Sequence, residues 1–216
     1  MKEVELMIFD FDGTLVDSGS DLAQAVNHTL RMFGLPECRR ETILNFIGDG
    51  VSKLIERSLG ESNIHLYDKA IRIFTEFYDG HLLDTTHLYP DAADVLDFFS
   101  DKKKVILTNK RSIYTERIAS ALGIARYFDG IFCPDTIPYT KPNPRCVEWI
   151  LETLRLRCEN GKMAMIGDGV NDVLLARGAG IVSCTLVGGY TDRESLAALS
   201  PDYCCNSLGE IKGIFV

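Results

Sequence analysis

The sequence predicts an α/β protein with a doubly wound, mostly parallel sheet and a small all-helical domain inserted after the first strand. Five short apolar runs, each bounded by turn residues, are typical of buried parallel strands. They lie at residues 4–9, 104–107, 130–133, 163–166 and 181–186. Apolar residues at helical spacing occupy the segments between them, at 91–101, 114–122, 144–156 and 171–179. Strands that alternate with helices in this way form doubly wound sheets.

One region breaks the alternation. From about residue 18 to residue 83 the apolar residues have helical spacing, and no segment has the pattern of a strand. The spacing predicts helices at residues 21–33, 41–47, 51–59 and 67–78. We therefore assign residues 1–15 and 84–216 to an α/β core and residues 16–83 to a helical cap domain.

The composition excludes several classes of protein. The 216 residues are 46% hydrophobic and 25% charged, which is an ordinary globular balance. The net charge of −8 argues against a general nucleic-acid or membrane-surface binder, since both need clustered positive charge. The N-terminus does not resemble a signal peptide, and no run approaches the roughly 20 apolar residues of a membrane span. We expect a cytoplasmic protein whose seven cysteines are reduced.

Two acids follow the first predicted strand. Asp10 and Asp12 are two residues apart, so in extended backbone their carboxylates point the same way. Ligands of open α/β sheets bind at the carboxyl ends of strands, and oxygen ligands suit a hard cation such as Mg²⁺. A surface turn remains an alternative for this pair. A calcium loop of the EF-hand type does not, because Leu15 and Asp21 stand where that loop needs Gly and Glu.

Further polar residues follow the later strands. Thr108 and Asn109 end the second run, where a hydroxyl and an amide can hold phosphate oxygens. Lys141 precedes Pro142 on a stiff loop that leads into a helix, which suits an ammonium that must neutralise a phosphoryl oxygen. Asp168 follows another apolar run and is positioned to complete a metal site with Asp10. Taken singly, each of these residues is also consistent with an ordinary turn or a solvated side chain.

Together these residues resemble a known family. Residues 10–14 (Asp-Phe-Asp-Gly-Thr), Thr108, Lys141 and the pair Asp168 and Asp172 match, in order, the four motifs of the haloacid dehalogenase superfamily, whose core is Rossmann-like. The resemblance covers almost the whole chain. Within that superfamily, the sequence resembles phosphoglycolate phosphatases. The segments that carry it are 11–18, 46–50, 108–110, 121–124, 127–129, 141–144 and the tail from 189 to 202.

The resemblance implies a covalent mechanism. Asp10 would attack phosphorus and become an aspartyl-phosphate. Asp12 would protonate the leaving oxygen and then activate the water that hydrolyses the intermediate. Mg²⁺ would be held by Asp10, Asp168 and the backbone carbonyl of Asp12.

The remaining implied roles concern the substrate. Thr108 and Lys141 would hold the phosphoryl oxygens, with Asn109 as a neighbouring substrate contact. Asp172 would orient Lys141 or a water on the metal. Gly48, in a loop of the mobile helical cap, would face the substrate at the start of a helix, although a plain turn between helices is an equal alternative there.

The resemblance therefore implies a Mg²⁺-dependent phosphatase that acts on a small phosphorylated metabolite, with 2-phosphoglycolate as the leading substrate and glycolate and phosphate as products. The next alternatives within the superfamily are a pyrophosphatase, a nucleotidase or a broad sugar-phosphate phosphatase, and after these a phosphomutase. A non-catalytic binding protein is the alternative from another class, but it would be expected to have lost Asp10, Asp12, Lys141 or Asp168. No nucleic-acid or membrane partner is expected, and the protein would be a monomer or a homodimer.

Overall fold

The computed structural model describes residues 1–216, which form eight strands and nine α-helices. The strands are β1 (Leu6–Phe9), β2 (Val16–Asp17), β3 (His87–Leu88), β4 (Lys103–Leu107), β5 (Gly130–Phe132), β6 (Met163–Gly167), β7 (Val182–Leu186) and β8 (Tyr203–Cys205). The helices are α1 (Gly19–Met32), α2 (Arg40–Leu44), α3 (Val51–Leu59), α4 (Tyr67–His81), α5 (Ala92–Phe98), α6 (Ser112–Ala121), α7 (Arg145–Leu154), α8 (Val170–Ala179) and α9 (Arg193–Ala198).

Six strands form one sheet in the order β5-β4-β1-β6-β7-β8, and every pair in it is parallel. Strands β4 and β5 lie on one side of β1, and the later strands β6, β7 and β8 lie on the other side. The switch point of this doubly wound order therefore lies between β1 and β6, where such sheets bind their ligands. The predicted fold class is confirmed. The sixth strand, β8, and helix α9 were not predicted.

The sheet separates two apolar clusters. In β1, Met7 and Phe9 belong to the larger cluster, whereas Leu6 and Ile8 belong to the smaller one. This division follows from the alternation of side chains along a strand. Because both faces are covered, all four residues of β1 are buried, as expected for a central parallel strand.

Helices α1 to α4 form a helical insertion between β2 and β3. These two short strands pair antiparallel, so the chain leaves the core and returns to it at one place. The buried Asp21 in the first turn of α1 fastens the return, since its carboxylate accepts hydrogen bonds from the backbone and hydroxyl groups of Thr85 and Thr86. The limits of the two domains at residues 15/16 and 83/84 stay a prediction.

Two further features bear on the expectations from composition. None of the helices combines the length and the apolar character that a membrane crossing requires. All seven cysteines are free thiols.

Candidate active site

Three of the polar residues singled out in the sequence follow three adjacent strands at one edge of the sheet. Asp10, Thr108 and Asp168 come directly after β1, β4 and β6. The last residue of β1, Phe9, is in register with Ile106 and Ile166. The three strands therefore end at the same level, and the three side chains start from one edge beside the switch point.

Three buried carboxylates converge at this edge. One oxygen from each of Asp10, Asp168 and Asp172 lies within 4.8 Å of the other two. The ammonium of Lys141 lies 2.7 Å from Asp10 Oδ1 and 2.7 Å from Asp172 Oδ1, and its side chain is only 2% exposed. Three carboxylates beside one ammonium leave an excess of negative charge in a buried place.

The titration of these groups reflects that excess. Burial, followed by the charge of Asp172, raises the pKa of Asp10 well above its ordinary value. The same two causes raise the pKa of Asp168 to about 7. Burial opposes the charge of Lys141, but the neighbouring Asp10 and Asp172 outweigh it and raise the pKa of the ammonium.

This donor set fits a divalent metal ion. It consists of oxygen atoms only, which a hard cation such as Mg²⁺ prefers, and its surplus negative charge would be balanced by two positive charges. The side chain of Asp12 is not part of the cluster. The sequence-based expectation for Asp12 concerns its backbone carbonyl.

The carboxylate of Asp168 is held from two sides. The hydroxyl of Thr14 donates to Oδ1 at 3.0 Å, and the backbone N–H of Tyr190 donates to Oδ2 at 2.7 Å. A Cβ atom on Gly13 or Gly189 would collide with this carboxylate, so both glycines permit the close approach of their loops. Neither Thr14 nor Tyr190 was assigned a role from the sequence.

The loop that carries Lys141 is fixed by two neighbours. Asn109 accepts from Lys141 N at 3.1 Å and donates to Lys141 O at 3.1 Å. Its other amide hydrogen goes to Gly48 O, at 2.9 Å. Asp172 contacts the Lys141 ammonium and also accepts from Gly169 N at 2.9 Å, which caps the start of α8. Both amide hydrogens of Asn109 are thus already used, and its contact with a substrate stays a prediction.

The carboxylate of Asp12 has a different environment, which the sequence did not indicate. The ammonium of Lys110 lies 3.1 Å from Oδ1 and 3.2 Å from Oδ2, and the hydroxyl of Ser18 donates to Oδ1 at 2.5 Å. Lys110 also donates to the hydroxyl of Tyr78, at 2.8 Å. Burial opposes the charge of Lys110, but Asp12 and Tyr78 outweigh it and raise its pKa.

A cavity opens between the core and the helical insertion, directly above these residues. About 60 Å³ of it is open to the centre of a water-sized molecule. Its floor includes Asp10, Asp12 and Thr108. Its apolar wall comes from the insertion and consists of Leu22, Ile47, Val51, Leu54 and Phe74.

The loop that contains Gly48 forms part of the cavity rim. Gly48 O accepts from Asn109, as described above, and from Asn171 at 3.3 Å. Asn171 also donates to Asp49 at 2.7 Å, and Arg57 forms an ion pair with the same carboxylate. Burial alone would raise the pKa of Asp49, but these two partners lower it. The acid beside the cavity is therefore compensated within the protein.

Comparisons with known proteins agree with this architecture. A model of the haloacid dehalogenase-like hydrolase family matches residues 7–186. The chain belongs to this family. Two of its curated relatives in the family are full-length matches named phosphoglycolate phosphatase. The protein from Vibrio cholerae is 35% identical, over 98% of this chain and 96% of its own length. The protein from Vibrio parahaemolyticus is 34% identical, over 97% and 95%.

Solved structures of the family superpose closely on this chain. A predicted phosphoglycolate phosphatase from Haemophilus somnus covers 99% of both chains with a TM-score of 0.90 and 26% identity. A haloacid dehalogenase-like protein from Streptococcus pneumoniae covers 98% of both, with a TM-score of 0.86 and 26% identity. The resemblance stated from the motifs is confirmed. This member of the family is an enzyme, a phosphoric monoester hydrolase similar to phosphoglycolate phosphatases.

Proposed function

We propose that the protein hydrolyses a small phosphate monoester through an aspartyl-phosphate on Asp10. The observation that carries the proposal is the contact between Lys141 and Asp10, which lies on the cavity floor. A nucleophilic carboxylate needs a cation beside it that can bind the anionic phosphoryl group as it arrives. The 2.7 Å separation sets the ammonium within reach of a phosphoryl oxygen bound to that carboxylate.

The neighbouring residues divide the remaining work. Thr108 is buried and its hydroxyl accepts from Lys110 N at 3.1 Å, which leaves its own hydrogen for a phosphoryl oxygen. Asp12 lies on the same floor and would give a proton to the leaving oxygen, then take one from the attacking water. Asp172 keeps the Lys141 ammonium in place.

The metal in this proposal is Mg²⁺. Asp10 and Asp168 would hold it together with the backbone carbonyl of Asp12, and Asp172 lies beside them. When bound, the ion would supply positive charge against the phosphoryl oxygens. The donor chemistry and the raised pKa values of Asp10 and Asp168 support this assignment.

The substrate we propose is 2-phosphoglycolate, which would give glycolate and phosphate. The names of the full-length relatives support it. A cationic side chain on the cavity wall, Arg111, supports it as well. This side chain is half exposed and its nearest acid, Asp135, is 4.0 Å away, so the two form no close ion pair. Helix α3 also begins at the cavity, at Val51, and free backbone N–H groups at a helix start attract a carboxylate.

A panel of phosphate esters tests the proposal. Phosphate release would be measured with Mg²⁺ on 2-phosphoglycolate, pyrophosphate, a nucleoside monophosphate and a hexose phosphate, with Asp10→Asn as the blank. We expect kcat/KM for 2-phosphoglycolate to lead by about tenfold or more, or about 1.4 kcal/mol of transition-state discrimination. Equal rates, or a lead by another ester, would contradict 2-phosphoglycolate as the substrate but not the phosphatase reaction. Full activity in Asp10→Asn would contradict the mechanism.

Two smaller expectations stay predictions. They are the cytoplasmic location and the monomeric or homodimeric state.

A further inference from the structure

Lys110 joins the helical insertion to the proposed acid. Its side chain starts just beyond β4 in the core and is only 7% exposed. The ammonium contacts both oxygens of Asp12 in the core and the hydroxyl of Tyr78, which lies near the end of α4 in the insertion. The nitrogen also lies 5.0 Å from the centre of the Tyr78 ring, a distance at which a cation is attracted to the ring face.

Every hydrogen-bond donor of the Lys110 ammonium already has an acceptor. An ammonium has three N–H donors. Here two of them meet the oxygens of Asp12 and the third meets Tyr78. Lys110 lines the cavity, but it has no donor left for a substrate unless it gives up one of these partners. This arrangement fits a residue that acts through Asp12 better than one that binds the substrate.

Asp12 needs such support for the role given to it. A general acid must keep one oxygen within hydrogen-bond reach of the leaving group, and a rotation of the carboxylate removes it from that position. Lys110 bonds both oxygens, and Ser18 bonds one of them from the other side. Together these contacts define a single orientation of the carboxylate.

The contact with Tyr78 makes this orientation depend on the insertion. Tyr78 is 1% exposed and is fixed on α4, so its hydroxyl moves only with that helix. If the insertion separated from the core, Lys110 would lose one of its three acceptors and would be free to rotate away from Asp12. The acid would then be held correctly only when the insertion covers the cavity.

We propose that Lys110 is the positioning residue of Asp12, and that the hydroxyl of Tyr78 ties this positioning to the contact between insertion and core. The inference rests on the phosphatase reaction proposed above. It assigns to Lys110 and Tyr78 an effect on proton delivery to the leaving group, and no contact with the phosphoryl group or with the remainder of the substrate.

The dependence on the leaving group tests it. A series of substituted phenyl phosphates would be hydrolysed by the wild type, Lys110→Met and Tyr78→Phe, because a poor leaving group needs the proton and p-nitrophenolate does not. We expect Lys110→Met to lower kcat/KM, which does not include hydrolysis of the intermediate, about 100-fold for phenyl phosphate and less than about tenfold for p-nitrophenyl phosphate. Tyr78→Phe should show the same trend with a smaller loss, about three- to tenfold.

Two controls separate this role from others. Tyr67→Phe removes a hydroxyl from the other end of α4, about 16 Å away along the helix, and should match the wild type. In an Asp12→Asn background, assayed with p-nitrophenyl phosphate, Lys110→Met should cost nothing further, since the residue it positions has already lost its function.

Either of two results would overturn the inference. One is an equal loss of kcat/KM for all leaving groups, as expected if Lys110 only supports the fold. The other is a raised KM with unchanged kcat, as expected if Lys110 binds the substrate. If the wild type releases phosphate and Asp10→Asn does not, the proposed function stands whichever result is obtained.

Discussion

Replacing Lys141 tests the charge balance of the buried acids. In the wild type the ammonium of Lys141 lies 2.7 Å from Asp10 and 2.7 Å from Asp172. Lys141→Met roughly keeps the length of the side chain and removes this charge. Removing one partner of a buried ion pair costs about 3–5 kcal/mol. Burial already raises the pKa of Asp10, so this carboxyl can take up a proton in the variant and recover part of the loss. We therefore expect a loss in the lower part of that range, about 3 kcal/mol.

The loss can be read as a melting temperature. In a chain of this size 1 kcal/mol shifts Tm by about 2–4 °C, so Lys141→Met should melt about 6–12 °C below the wild type in chelator. Removing Lys141 leaves the acids without their ammonium, so Mg²⁺ should raise the Tm of the variant more than that of the wild type. The measurement is thermal unfolding at neutral pH, with chelator and with Mg²⁺.

A matched control is available on the surface. Lys53 lies 2.7 Å from Glu56, the same distance as in the buried pairs, but the two side chains are 53% and 46% exposed. Exposed pairs contribute about 0–1 kcal/mol, so Lys53→Met should lower Tm by less than about 4 °C. If the two variants melted within about 2 °C of each other in chelator, Lys141 would not balance the buried acids and the reasoning would be wrong.

Three further perturbations have defined outcomes. Chelation should abolish phosphate release and Mg²⁺ should restore it, with Ca²⁺ a poor substitute because it prefers looser, higher coordination; undiminished rates in chelator would contradict the metal assignment. Burial and the charge of Asp172 raise the pKa of Asp168 to about 7, so in the metal-free protein its contribution to stability is complete below about pH 4 and is lost as the pH rises through about 7. Denaturant unfolding in chelator should therefore show the wild type losing stability relative to Asp168→Asn over that range, and parallel profiles would count against it. Arg111→Met should raise KM for 2-phosphoglycolate roughly tenfold and leave KM for p-nitrophenyl phosphate, which has no carboxylate, unchanged; equal changes for both would show that Arg111 does not recognise the carboxylate.

The sequence predicted the central sheet because its inner strands are mostly apolar, and two of them, β1 and β6, are continuous apolar runs. Burial on both faces selects such runs, as in β1 and β6, where every residue is buried. The strand β8 was missed because it lies at the edge and exposes Cys204 between its neighbours, so only three residues of mixed character mark it. The two-residue strands β2 and β3 are too short to leave a periodic pattern.

The site, too, could be predicted from the sequence only in part. Ligands of open α/β sheets bind at the carboxyl ends of the strands, and this rule alone is enough to bring Asp10, Thr108 and Asp168 to one edge of the sheet. No comparable rule leads to the contact between Lys110 and Tyr78. These two residues are far apart in the sequence, and the contact depends on how the insertion packs against the core. A lysine just after a strand is usually solvated, so its type and position carried no signal.

The central claim is that Asp10 carries the phosphoryl group during the reaction. Sodium borohydride reduces an acyl phosphate to an alcohol, so an aspartyl-phosphate trapped during turnover becomes homoserine. The measurement is peptide mass spectrometry of the Asp12→Asn variant, in which hydrolysis of the intermediate is slowed, after mixing with p-nitrophenyl phosphate, whose leaving group needs no proton, and Mg²⁺ and quenching with borohydride. The account predicts homoserine at position 10, and none when substrate is omitted. Phosphate release without any modification of Asp10, or modification at another residue, would contradict it.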